Sequence, residues 1–199
     1  MKRLTYISPM LLLVAVLLGL AACSRPPLMS SDPDVKAAVE DGKDLGQSLV
    51  PYRSEELGLA LDYLPGWRVV DSPQGVTFRG PPHGSGPEPP EAWLSINVRP
   101  APADASLDQV VEAQLARYPD LASQIRRSEI TLGGEPAAVL DGMPGRHTNR
   151  QIYVLHDDKL YEIIVTPIDD PNFADLQPEA EAIWQAVVDS WQFLPPEAK

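Results

Sequence analysis

Cysteine is nearly absent: Cys23 is the only one among 199 residues. A lone thiol excludes an internal disulfide and a thiolate metal cluster. Histidine is scarce too. His83, His147 and His156 stand far apart, so the paired histidines of a helical metalloprotease motif are missing. Cations are outnumbered, with 16 Lys and Arg against 28 Asp and Glu and a formal charge of −12. That balance argues against nucleic acid, whose phosphates need a basic surface. It also offers no electrostatic grip on anionic lipid. No phosphate-cradling glycine loop is present, because Gly133-Gly134 lacks the further Gly and the Lys of such a loop. No nucleophile-elbow spacing appears either. The longest apolar run, Met10 to Ala22, covers 13 residues, and a spanning helix needs roughly 20.

What is there begins with that run. Met1-Lys2-Arg3 gives it a basic start and small residues close it, the layout of a secretory leader. Leu20-Ala21-Ala22-Cys23 resembles the bacterial lipobox. That resemblance implies cleavage before Cys23 and attachment of diacylglycerol to its sulfur. Lipidation would account for an otherwise unexplained odd cysteine in an exported chain, and two or three acyl chains hold a protein stably where one does not. The expected address is the cell membrane or an outer membrane, facing periplasm or exterior. Ser24 rather than Asp after the cysteine leans toward the outer membrane of a two-membrane cell. Loss of Lys2 and Arg3 with the leader takes the formal charge from −12 to −14.

The remainder suits one domain. The expected organisation is a leader at 1–22, a lipidated cysteine and flexible tether at 23–54, a folded domain at 55–195 and a tail at 196–199. The tether reading rests on Arg25-Pro26-Pro27, Ser30-Ser31-Asp32-Pro33 and Gly42-Lys43-Asp44, with a short helix conceivable at 34–40.

Within the domain, Leu57, Leu59, Leu61 and Tyr63 alternate with Gly58, Ala60 and Asp62, the period of a half-buried strand. Further strands are expected at 67–70, 76–79, 93–98, 125–132, 136–140, 150–155 and 160–165. Five prolines and three glycines between Gly80 and Pro90 exclude a regular element there. Ser106 with Gln109 three residues on has capping-box spacing and predicts a helix ending near Pro119. Gly133-Gly134 signals a hairpin turn, and His156-Asp157-Asp158-Lys159 a second one. Pro178 suits the first turn of a last helix, whose apolar face carries Ile183, Trp184, Val187, Val188 and Trp191. Short turns pair strands antiparallel. The expected class is therefore α+β, an antiparallel sheet flanked by helices.

The run Leu59-Ala60-Leu61-Asp62-Tyr63-Leu64-Pro65-Gly66-Trp67 resembles the strand, Pro-Gly-Trp, strand opening of the PsbP-like family. Gly133-Gly134-Glu135-Pro136-Ala137, Ile152-Tyr153, Tyr161-Glu162 and Trp191-Gln192-Phe193 extend the resemblance over 55–195. It implies an α-β-α sandwich and a mostly non-enzymatic role at membrane surfaces, as subunit or assembly partner.

Candidate sites are few. His156, Asp157 and Asp158 could hold a metal ion weakly, although a solvated hairpin turn accounts for them more simply. Asp169, Asp170 and Asn172, with Asp175, offer oxygen ligands without EF-hand spacing. Trp67, Trp93, Trp184 and Trp191 could line an apolar pocket, but most sit on the apolar pattern of an element and suit a core. The expected function is a non-catalytic envelope module binding a protein partner, with no cofactor. The alternative is a carrier of a small ligand or metal ion in a pocket between sheet and helix.

Overall fold

A computed structural model describes residues 48–195. The leader, Cys23, the helix expected at 34–40 and the tail at 196–199 lie outside the described residues. The elements run β1 (Val50–Ser54), β2 (Leu59–Tyr63), β3 (Arg68–Ser72), β4 (Gly75–Arg79), β5 (Trp93–Pro100), α1 (Leu107–Leu115), β6 (Arg126–Leu132), β7 (Glu135–Met143), β8 (Asn149–His156), β9 (Lys159–Thr166), a 3-10 turn (Pro171–Phe173), α2 (Gln177–Ser190) and β10 (Gln192–Phe193). The class is α+β, with every strand pairing antiparallel.

Two sheets form where one was expected. β1, β2 and β10 make a three-stranded sheet, and the rest make a seven-stranded sheet in the order β3-β4-β5-β9-β8-β7-β6. Pro65-Gly66 therefore turns the chain between strands of different sheets, with Gly66 at φ 81. β1 is also a difference, because it takes five residues from the stretch read as tether. Its burial alternates only between half-buried and exposed, so it carries little apolar signal of its own and owes its place to pairing with β2.

The large sheet is two meanders. β3-β4-β5 form one and β6-β7-β8-β9 the other; α1 carries the chain from β5 to the far edge, and β9 returns to pair with β5. Period-two alternation divides the sheet into two faces. On the first face Phe78, Leu94, Ile96, Ile152, Val154, Ile163 and Val165 are buried with Leu59 and Leu61 of the small sheet and Ile183, Trp184 and Val187 of α2. On the second face Ala138, Leu140, Met143, Tyr153 and Leu160 are buried with Val110 and Val111 of α1. The helices thus lie on opposite faces. Each fully buried Leu, Ile or Phe contributes about 1.5–3 kcal/mol.

Local chemistry fixes the helix ends. Ser106 Oγ accepts from the Gln109 backbone N–H at 3.2 Å, and Gln109 Oε1 accepts from the Ser106 N–H at 2.9 Å. This reciprocal cap satisfies two otherwise free donors. Proline stands in the first turn of α2, where the missing N–H costs nothing. Glu179, in that same turn, meets His83 Nε2 at 2.7 Å and ties the proline-rich loop to the helix.

Candidate functional site

The second face of the large sheet is covered unevenly. α1 packs against β7 and β8. Over β3, β4 and β5 no helix of the described residues lies on it. Strand register places Val70, Thr77 and Ser95 in one row across this open half, and Arg68, Arg79 and Trp93 in the next. Val70 is 49% exposed, an unusual position for a large aliphatic side chain in the middle of a strand. Thr77 Oγ1 and Ser95 Oγ lie 3.1 Å apart, a cross-strand hydroxyl pair. Trp93 is half-buried, with one flank available.

The open half continues into a groove of about 850 Å³ between the proline-rich loop and the 146–147 and 173 segments. Arg68 and Arg79 both pair with the Glu91 carboxylate, the first at 2.7 Å. Two guanidiniums on one carboxylate leave a net positive charge, and only 9% of the Glu91 side chain is exposed. Arg146 reaches Glu88 at 3.3 Å with both side chains well exposed, so that pair is worth little. His147 meets Phe173 edge-on with ring centroids 4.2 Å apart. The result is a basic, aromatic surface on a domain dominated by carboxylates.

A polar network lies where α1 meets the sheet. The buried Gln114 donates through Nε2 to Gln151 Oε1 at 3.0 Å and accepts from Arg117 at 3.0 Å. Gln151 Nε2 donates to Asn149 Oδ1 at 3.1 Å. The Tyr153 hydroxyl lies 2.6 Å from Gln151 Oε1 and 3.0 Å from Glu162 Oε1. Burial, and then the Glu162 carboxylate, push the Tyr153 phenol far above its ordinary range, so it stays a donor.

The expected sites fall elsewhere. His156, Asp157 and Asp158 occupy the β8–β9 turn, with Asp157 at φ 51. His156 Nδ1 lies 3.0 Å from Glu135 Oε1, and its ring stacks on Phe193 at 4.1 Å. His156 Nε2 also lies 3.6 Å from Asp157 Oδ2, so the imidazole is engaged by packing and by carboxylates on both ring nitrogens. Among the described residues no three His, Cys, Asp or Glu side chains gather as a metal cluster. Asp169 pairs with Arg126 at 2.5 Å. Asp170 caps the 3-10 turn, accepting from the Asn172 N–H at 3.0 Å and the Thr148 N–H at 3.3 Å. Both therefore serve the loop. Trp67, Trp184 and Trp191 lie in the core and line no common pocket with Trp93. The open face itself escaped sequence reading. The signal available was the polar alternate set Thr77, Ser95 and Asn97 on strands otherwise buried on their other side.

No family model matches this chain, and no curated protein matches it. Among solved structures it is similar to the cyanobacterial PsbP protein, CyanoP, of Synechocystis sp. PCC 6803. That likeness has 16% identity and a TM-score of 0.49 over 76% of this chain and 95% of the other. It is also similar to a protein of unknown function, PA94, from Pseudomonas aeruginosa, at 22% identity and a TM-score of 0.43 over 76% and 99%. A third likeness, to a protein of Bacteroides thetaiotaomicron VPI-5482, has 13% identity and a TM-score of 0.46, covering 75% of this chain and 50% of that one.

Proposed function

We propose that this chain is an exported lipoprotein, held at a membrane by lipid on Cys23, whose folded domain is a non-catalytic module that docks a protein partner. The leader and the Leu20-Ala21-Ala22-Cys23 run support the anchor, and the PsbP-like resemblance read in the sequence supports a role at a membrane surface. The observation that carries the docking reading is the uncovered half of the large sheet. A sheet face that no helix of the described residues covers, with Val70 49% exposed and Trp93 half-buried, is the kind of surface a partner covers. Arg68 and Arg79, with Glu91 as their one shared carboxylate, suit a partner that presents acidic side chains.

Two experiments test this. Fractionation of cells carrying Cys23→Ser should find the domain released, or retained only as uncleaved precursor; a mature-length form still bound to membrane contradicts the anchor. Chemical crosslinking in intact cells should yield one discrete adduct with another protein; recovery of the chain alone contradicts the docking role.

A further inference from the structure

The described residues contain nine arginines. Seven of them have a carboxylate within salt-bridge reach: Arg53, Arg68, Arg79, Arg126, Arg127, Arg146 and Arg150. Arg99 and Arg117 have none among the described residues. Carboxylates are in large excess here, so an arginine without one is the exception. The two exceptions line the same pocket.

That pocket, of about 360 Å³, opens between α1 and the sheet, a volume in the range of small-molecule sites. Arg99 enters from β5, and Arg117 from the turn just beyond α1. Among the described residues no Asp or Glu lines it; Glu162 stands behind its wall, 3.0 Å from the Tyr153 hydroxyl. Its deeper wall is Val110, Leu160 and the ring of Tyr153, all buried. Arg117 is held in place by its bond to Gln114 Oε1 at 3.0 Å, and Gln114 is itself fixed by Gln151. One cation is thus preorganised by a buried amide, which lowers the ordering cost of binding. A guanidinium presents five donors and suits a planar carboxylate.

We propose that this pocket binds a small amphiphilic carboxylate. Its charged end sits between Arg99 and Arg117, and its short apolar body lies against Val110 and Leu160. The site is separate from the open face on β3–β5 and does not depend on the docking reading.

The test is calorimetric titration of the full chain with three probes: hexanoate, hexanol and inorganic phosphate. Hexanoate should bind one to one, and the other two at least about tenfold more weakly, since one lacks the charge and the other the apolar body. Arg99→Gln and Arg117→Gln should each weaken hexanoate roughly tenfold or more, the usual scale for losing a charge-assisted bond. Both side chains are exposed. Thermal unfolding should not move in Arg99→Gln and should fall modestly in Arg117→Gln, which takes a donor from the buried Gln114 Oε1. Ala113→Trp, at an exposed position on the rim, should block binding with both arginines intact. Absence of hexanoate binding, equal binding of hexanol or phosphate, or hexanoate binding unchanged in the two arginine variants would each overturn the site. None of these outcomes bears on crosslinking through the open face, so the two proposals fail separately.

Discussion

The Tyr161 hydroxyl donates to the Leu57 carbonyl at 3.0 Å, a bond between residues 104 apart that ties β9 of the large sheet to the turn before β2 of the small one. Trp191 and Phe193 pack edge-on against the same ring, at 5.9 and 5.2 Å between centroids. One phenol thus joins the two sheets and the segment after α2. Burial, then Asp157 and Asp158, raise its pKa to about 12.

That shift has a sign. The unfolded phenol titrates near ~10, so the folded state holds the proton more tightly. The resulting stability is complete below about pH 10 and is lost as pH rises toward about 12. Burial likewise raises Tyr52 and Tyr153. Denaturant unfolding followed from pH 9 to 12 should therefore show falling stability, with a shallower fall in Tyr161→Phe. Equal slopes for the two chains would contradict the assignment.

The β6–β7 turn separates two glycine effects. Gly133 and Gly134 sit at φ 58 and φ 93, the two positive values a two-residue hairpin loop requires. A Cβ on Gly133 would come 2.7 Å from Trp191 Cδ1 and 2.9 Å from Phe193, while a Cβ on Gly134 would meet nothing within 4 Å. Gly134→Ala should cost about 1 kcal/mol from backbone strain alone. Gly133→Ala should cost roughly 2–4 kcal/mol, since overpacking adds to the strain. Chemical denaturation of both variants checks the order; similar losses would mean that the aromatic pair yields freely.

Arg150 is the charged link between sheet and helix. Its Nε donates to Asp141 at 2.6 Å and its Nη1 to Glu181 of α2 at 2.9 Å, with 15% of the side chain exposed. The guanidinium also lies 5.8 Å from the Trp184 ring centroid. Arg150→Met leaves two carboxylates without their cation and should cost about 2–3 kcal/mol. Arg150→Lys should recover less than half of that, because an ammonium cannot bridge two acceptors with one planar fork. Urea midpoints of the three chains decide this; full recovery by Lys would reduce the link to simple charge.

Much of this fold is legible in the sequence because its signals are local. Alternation over Trp93–Val98, the Ser106 and Gln109 pair, the Gly133-Gly134 turn and Pro178 each act within a few residues of themselves. β1 and β10 are not legible. Val50-Pro51-Tyr52-Arg53-Ser54 and Gln192-Phe193 acquire strand geometry only by lying beside β2, whose own alternation gives no hint of which partners it takes. The split into two sheets is hidden for the same reason, since Pro65-Gly66 reads equally as a hairpin turn or a bend between sheets. The sites are less legible still. Arg99 and Arg117 stand 18 positions apart with no motif between them, and they share a pocket only because α1 folds back over the strands. His156-Asp157-Asp158 stands out as a motif, yet its imidazole is engaged by Glu135 and Phe193, both distant in sequence.

The docking role is tested most directly by position. A photo-crosslinking phenylalanine analogue is placed in the full chain at Asn97, exposed on β5 beside the open half, or at Gln185, exposed on α2. Irradiation of intact cells should give a discrete adduct with one other protein from Asn97 and none from Gln185. No adduct from either position, or the same adduct from both, would contradict docking through the open face of the sheet.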